Sequence, residues 1–523
     1  MQPNLLSNLP PRIHLILDEG AREGRERPAF TDEAGAIWSY DQLIRAVDLA
    51  ATELRALGVL PGDRVMLVCE NSIAAITLMY AISRLDAWAV MTNARQSASE
   101  LALIEEDCQP RCVLYTHATS PDAETHAARR GAHLKEFANI GLVKVAFPDD
   151  ESYAEDVHED PARQVAILIY TTGTTGRPKG VMLSHRNLAF VAARGKRTKT
   201  IHADDVTLCL MPISHSYGLT IMQGVLFAGG HLRIMPRFSL PVVIDAIRGG
   251  HITLFMAVPA LLARLVDHAQ RTGIALTPNR LRYAYTGTAP LDLSLRQSIE
   301  ERLGVVLHNG YGLTETSPTI SRTIYAKGSG EVDIGPPIPG VEVRIVDQDG
   351  RIVLDDTPGE LHVRGPNVMI GYYRQPELTT AIIDAGGFLN TGGIVSRRST
   401  GELVVQGRSK ELIIRSGFNV YPPEIEGVLN AHVSVLNSAV VGRRVEGNEE
   451  IIAFVEPAPG IAIDVHELLA YLEARLARYK KPQQIIVLPH LPVAPNGKIL
   501  KGELKRQAEL PRSMGDDRIT EGQ

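Results

Sequence analysis

The sequence predicts an α/β protein: a large N-terminal unit with mostly parallel sheets flanked by helices, a small β-barrel-like module, and a small mobile α+β unit at the C-terminal end. Three observations predict it. Residues 40–115 alternate helix-period and strand-like segments, residues from about Val341 switch to strand alternation, and a compact mixture of both follows Gly407.

Residues 40–57 place Leu43, Ala46, Val47, Ala50 and Leu54 on one helical period, and Gly58 and Pro61 end that segment. The Val-Met-Leu-Val run within residues 64–69 then reads as a buried strand. The pairing recurs as a helix over 73–85 with a strand over 88–91, and a helix over 99–106 with a strand over 112–115. Residues 120–159, rich in Ala, His and acidic groups, read as an irregular insertion ahead of an apolar strand at 165–169. Alternation at 341–346, 360–364 and 403–406 predicts short antiparallel strands. Beyond Gly407 the pattern gives helices over 422–430 and 465–478 and strands over 438–442, 451–456 and 484–488. A boundary at 407–411 therefore separates units 1–409 and 410–523, with a polar tail after residue 508.

Composition narrows the function classes. Hydrophobic residues make up 44% and charged residues 22%, which permits a sizeable core, and a net charge of −6 without a basic block argues against a nucleic-acid surface. No apolar run reaches the eighteen residues of a membrane span, and the first twenty residues lack a signal-peptide pattern, so a cytoplasmic monomer or homodimer is expected. Cys69, Cys108, Cys112 and Cys209 show no metal spacing; Cys108 and Cys112 could share a helix face, but ordinary reduced thiols are the expectation.

The chemistry starts at Tyr170-Thr-Thr-Gly-Thr-Thr-Gly-Arg-Pro-Lys-Gly-Val-Met-Leu-Ser-His185, directly after the apolar strand. Gly173 and Gly176 let backbone N–H groups converge on an anion, Thr171, Thr172, Thr174 and Thr175 add hydroxyl donors, and Lys179 adds charge. No Gly-Lys-Ser/Thr closes the run, so it is not a Walker loop. A second cluster, Asn309-Gly-Tyr-Gly-Leu-Thr-Glu315, follows a strand over 305–308; Tyr311 offers a flat partner for a base, and Glu315 a carboxylate for a hard cation.

These segments resemble the signature motifs of the adenylate-forming superfamily: acyl-CoA synthetases, peptide-synthetase adenylation domains and luciferases. The resemblance runs in order through at least six motifs, from Tyr170 to Lys498. It implies ATP, Mg²⁺ and coenzyme A as cofactors and a small carboxylic acid as substrate. Thr171 to Gly176 and Lys179 would hold the phosphates, and Glu315 with Thr171 the metal. Asn309, Gly310, Tyr311, Gly312 and Thr314 would form the adenine site, and Thr286-Gly-Thr-Ala-Pro-Leu291, through Gly287, Thr288 and Ala289, would line adenine and acyl group. His215, in Pro212-Ile-Ser-His-Ser-Tyr-Gly218, would gate the acyl site, and the block Gly359 to Arg374 is scaffold. Arg408 would reach the ribose, Lys410 would be the hinge pivot, Gly417 would admit the pantetheine arm, and Lys498 would be the catalytic lysine.

One departure stands out. Where the family has Thr-Gly-Asp, with the aspartate on both ribose hydroxyls, this chain has Thr391-Gly-Gly393. Restoring the acid through Gly393→Asp is expected to tighten ATP binding. The family resemblance implies an AMP-forming acid–thiol ligase; loading of a carrier-protein thiol, a luciferase-like oxygenase, or a homologue weakened by Gly393 are the alternatives. The pocket segments 214–218, 256–259, 286–288 and 312–316 are small or apolar and suggest a neutral acyl tail; no arginine pair is evident, although Arg264 leaves a dicarboxylate open.

Overall fold

The structure, a computed structural model, describes residues 7–148, 152–172, 178–326, 332–415, 418–445, 448–493 and 499–509. Two eight-stranded sheets form its larger part. The first runs Gly371–Tyr372, Pro178–Ser184, Val165–Thr172, Trp88–Asn93, Arg64–Cys69, Cys112–Tyr115, Gly141–Ala146, His133–Phe137; the central four strands are parallel and both edges antiparallel. Arg64–Cys69 and Cys112–Tyr115 are buried at every residue, as strands covered by helices on both faces must be. The second runs from Ser321–Arg322 through Leu307–Tyr311, Tyr283–Gly287, Leu254–Met256, Val206–Cys209, His231–Ile234 and Pro28–Thr31 to Ile37–Ser39. One apolar core joins residues of both sheets with the helices Tyr40–Ala56, Ile73–Arg84 and Ser216–Ala228.

Burial of Arg64 shows what a buried guanidinium requires here. It is fully covered, and its donors meet the carbonyl oxygens of Cys108 at 2.9 Å, Gln109 at 3.0 Å and Gly62 at 3.3 Å.

The segment expected to be irregular is ordered where it is described. It holds the helix Pro121–Arg129 and an antiparallel pair, His133–Phe137 with Gly141–Ala146, which extends the first sheet beyond Cys112–Tyr115. The alternation is blurred because apolar residues stand on both faces: Phe137, Val143 and Val145 are buried while Leu134 and Leu142 face solvent. Cys108 closes the helix Ala98–Cys108 and Cys112 opens the next strand, so they share no helix face. All four thiols are buried, and burial raises them, to about 12 for Cys69, Cys112 and Cys209.

The strands Glu342–Val346, Gly359–Arg364, Leu389–Arg397 and Leu403–Arg408 form an antiparallel sheet bent by two bulges. In the C-terminal part, the strands Val435–Val445, Asn448–Pro457 and Gln484–Val487 form one sheet between two apolar clusters. Alternate residues supply opposite faces: Val440 and Ala453 pack toward Ile425 and Leu468, Val441 and Phe454 toward Leu504. The helix expected to reach residue 478 ends at Glu473. Among the described residues, the fully buried members of each core cluster lie either at or before Leu403 or from Ile413 onward. No helix of the described residues is long and apolar enough to cross a membrane.

Lys501, on the helix Lys501–Glu509, joins this C-terminal sheet region to the segment after Arg408: its ammonium lies 3.0 Å from Glu411 and 2.7 Å from Glu426. Removing the cation leaves two carboxylates facing each other. Lys501→Met should lower stability by about 2 kcal/mol, part of the cost of breaking a fully buried pair, measured by urea unfolding followed by circular dichroism; an unchanged midpoint would contradict the pairing.

Candidate active site

The two strands that flank the Gly/Thr run are antiparallel, with Thr171 paired to Lys179 and Thr172 to Pro178. Thr171 is half-buried at the end of its strand. Gly173, Thr174, Thr175 and Gly176, the central part of the expected phosphate loop, lie outside the described residues, as do Gly417 and Lys498. The described flanks of Lys498 approach one another, through a bridge between Val493 and Ile499 and a 2.8 Å bond from the Leu500 N–H to the Pro492 carbonyl.

A third strand completes the phosphate end. Gly371–Tyr372 pairs with Val181 and Met182, which sets Tyr372 beside Lys179. The Lys179 ammonium lies 5.1 Å from the centre of the Tyr372 ring, and the Tyr372 hydroxyl donates to Glu315 Oε1 at 2.8 Å. Burial, then the Glu315 charge, pushes the phenol well above its ordinary value, so it stays a donor. Glu315 sits on the 3₁₀ turn Thr314–Thr316, pinned by a 2.9 Å bond from Met369 N–H to its carbonyl. Among the described residues, neither Lys179 nor Glu315 forms an ion pair. The block Gly359 to Arg374, expected to be scaffold, thus contributes Tyr372 to the site.

No group of three or more metal-ligating side chains exists among the described residues. That suits Mg²⁺, which is held by one or two carboxylates together with substrate phosphates rather than by a protein cage. Glu315, one oxygen oriented by Tyr372, fits that donor set.

The motif from Asn309 to Glu315 is built by close packing. Asn309, buried, spends its side chain internally: Nδ2 donates to the Asp333 carbonyl at 2.9 Å and Oδ1 accepts from Gly310 N–H at 2.9 Å. It shapes the site rather than offering its amide to a ligand. A Cβ on Gly310 would sit 1.8 Å from the Tyr285 hydroxyl, and one on Gly312 would sit 1.3 Å from the Pro318 carbonyl. Glycine is therefore required here by neighbouring protein atoms. Thr314 is buried, with its hydroxyl 3.3 Å from that of Ser216.

Gly287 ends its strand beside Gly310, whose carbonyl would lie 3.1 Å from an added Cβ. Thr288, exposed, has φ of 74°, a left-handed conformation that costs a β-branched residue about 1–2 kcal/mol. Ala289 follows, half-buried. His215 caps the helix Ser216–Ala228, its Nδ1 accepting from Tyr217 N–H at 3.3 Å. Arg408 and Lys410 are exposed at the end of the strand Leu403–Arg408 and on the turn Ser409–Glu411.

Gly393 lies directly across the ladder from Arg408. A Cβ there would fall 2.4 Å from the Tyr311 hydroxyl, which is also held by the Thr391 side chain. The room an acid side chain needs is occupied by Tyr311. The expectation that Gly393→Asp alone tightens ATP binding is revised accordingly.

Beyond Thr288 and Gly312 a cavity continues between Tyr217, Tyr283, Tyr285, Met256, Arg194 and Arg322. Arg264 is not among its walls; it is exposed, 5.3 Å over the Phe238 ring. Sequence reading missed Arg194, although it follows buried Val191 by three positions on the helix His185–Arg197 and so shares its inward face.

A model of the AMP-binding enzyme family matches residues 17–373, and a model of the AMP-binding enzyme C-terminal domain matches residues 424–498. The chain belongs to the AMP-binding enzyme family. Within it, the chain falls among the adenylate-forming acyl- and aryl-CoA ligases. It is similar to 4-coumarate–CoA ligase 1 of Oryza sativa, 31% identical over 95% of this chain and 92% of that one. A feruloyl-CoA synthase of Amycolatopsis is 33% identical over 93% and 97%. Among solved structures, ATP-bound MatB from Rhodopseudomonas palustris superposes with a TM-score of 0.81 at 30% identity, covering 94% of this chain and 99% of that one.

Two outcomes test this arrangement as a nucleotide site. Tyr372→Phe frees Glu315 and should lower kcat/KM for MgATP about tenfold, the usual cost of losing a group that orients a metal ligand; steady-state titration of MgATP checks it, and an unaltered value would separate Tyr372 from the site. Gly393→Asp alone should leave ATP binding no better, whereas adding Tyr311→Phe, which leaves ring carbon Cζ 3.4 Å from the new Cβ, should tighten it about tenfold over the single variant. Calorimetric ATP titration of both variants measures that difference.

Proposed function

We propose that this acyl-CoA synthetase activates a carboxylic acid with ATP, releasing pyrophosphate, and then transfers the acyl group to coenzyme A. The observation that carries the reading is the Lys179, Tyr372 and Glu315 arrangement, a cation and a carboxylate held adjacent but unpaired. The ATP-bound structural neighbour and the 4-coumarate, feruloyl and indoleacetate CoA ligases among the relatives support ATP and coenzyme A as the co-substrates.

In the first half-reaction a carboxylate oxygen of the acid bonds to the α-phosphorus while the bond to pyrophosphate breaks. Lys179, with the amides and hydroxyls of the Gly/Thr run, would take up the charge of the departing pyrophosphate. Mg²⁺ bound through Glu315 and Thr171 would supply charge neutralisation at the phosphates. Tyr311 would position the base, Arg408 the ribose, and His215 the mouth of the acyl pocket. Lys498 would neutralise the attacking carboxylate and the α-phosphate. In the second half-reaction the thiol sulfur bonds to the acyl carbon, AMP leaves, and the thiol proton passes to solvent.

The two half-reactions are assigned to two orientations of the units 1–409 and 410–523 about Lys410. The separation of their apolar clusters supports this, because a turn at that point breaks none of them. Lys498 then serves only the first orientation.

Lys498→Ala should therefore lose adenylation by about a hundredfold or more while retaining thioester formation from supplied acyl-adenylate. Pyrophosphate release and acyl-CoA formation, assayed separately, test this. Equal loss of both would remove Lys498 from the role, and acid-independent hydrolysis of ATP would remove the ligase reading.

A further inference from the structure

The cavity beyond Thr288 and Gly312 holds two cations that no described residue neutralises. Arg194 projects from the helix His185–Arg197; its Nε and Nη1 are shut off from solvent and have no hydrogen-bond partner. Arg322, at the end of the strand Ser321–Arg322, lines the same cavity and donates only to neutral oxygens, to Thr200 Oγ1 at 2.8 Å and Thr198 Oγ1 at 3.2 Å. Among the described residues neither arginine forms an ion pair. The groups that act on Arg194 are a second cation, Arg322, and the phenols of Tyr283 and Tyr285; burial and Arg322 together lower its guanidinium to about 10.

Contrast with Arg64 makes the point. That guanidinium, fully covered, has backbone carbonyls on its donors and is a finished structural element. Arg194 is half-buried, yet its enclosed Nε and Nη1 have no acceptor among the described residues, so the site is complete only when something brings one. Tyr217 adds a buried hydroxyl that is likewise unpartnered. The other walls include flat and apolar groups: the Tyr283 and Tyr285 rings lie 6.2 Å apart at 11°, and Met256 and Ile221 line the same cavity.

Resting on the adenylation reading of the adjoining site, we propose that the acyl pocket takes a dicarboxylic acid, whose second carboxylate is received by Arg194 and Arg322. A guanidinium fork matches a carboxylate with two parallel N–H···O bonds, and a single anion between two cations removes their mutual repulsion. The reacting carboxylate would lie at the Thr288 and Gly312 end, where the cavity meets the nucleotide motifs. A neutral tail, by contrast, would leave the Arg194 donors unmet.

The test uses matched acids, phenylacetate against 4-carboxyphenylacetate and hexanoate against adipate, with the full-length enzyme. Pyrophosphate release gives kcat/KM, and calorimetric titration of each acid gives binding without turnover. Wild type should prefer each diacid at least about tenfold, since a site with buried donors discriminates against a ligand that leaves them unpaired. Arg194→Met and Arg322→Met should each erase that preference by lowering the diacid while leaving the monoacid equal or better, and Arg264→Met should change neither. The wild-type comparison stands even if a variant fails to fold. Preference for monoacids in wild type, equal loss on both acids in the variants, or no binding of any of the four acids would overturn the assignment. Diacid-selective binding without pyrophosphate release would support it while refuting adenylation; pyrophosphate release with monoacid preference would do the reverse.

Discussion

Tyr372 stands between a cation and a carboxylate whose direct pairing would disable both. In the proposed chemistry Lys179 would take up phosphate oxygens and Glu315 would hold a cation. In an otherwise empty cleft, Coulomb attraction favours joining the two. The phenol prevents this by offering its ring face to the ammonium and its hydroxyl to the carboxylate. Three strands are needed to make it so: Val165–Thr172 and Pro178–Ser184 carry Thr171 and Lys179, and Gly371–Tyr372 brings the ring alongside from two hundred residues later. The edge of the first sheet thus sets the charge pattern that the proposed chemistry uses.

The second sheet contributes by proximity. Gly310 and Gly312 bring the chain so close to Tyr285 and Pro318 that no side chain fits, and this fixes the path of Tyr311. The same tyrosine reaches across to the Thr391 and Gly393 strand, where its hydroxyl fills the place of the absent acid. Gly393 leaves room for that hydroxyl. In this chain a side chain at 393 and the hydroxyl at 311 meet in one volume, so adding an acid there requires Tyr311 to give way.

Much of the fold was legible because buried parallel strands and amphipathic helices write themselves plainly. Arg64–Cys69, Cys112–Tyr115 and Pro422–Asn430 fall where apolar runs and caps place them. The hairpin at 133–146 was not, because its outward residues include Leu134 and Leu142 and blur the alternation. At the site, Thr171, Lys179, Tyr311 and Glu315 were legible through contiguous motifs. Tyr372 was not, since it comes from an element far from Lys179 and Glu315 in sequence, and neither Arg194 nor Arg322 was, since an arginine is ordinarily a solvated residue. Only the packed structure shows that Arg194 turns its Nε and Nη1 inward with no partner among the described residues.

The central claim, that this site forms an acyl-adenylate reversibly before any thiol takes part, is tested most directly by exchange of labelled pyrophosphate into ATP in the absence of coenzyme A. The account predicts exchange that requires both Mg²⁺ and a carboxylic acid. Exchange without acid, or acid-dependent release of orthophosphate and ADP in place of pyrophosphate, would contradict it.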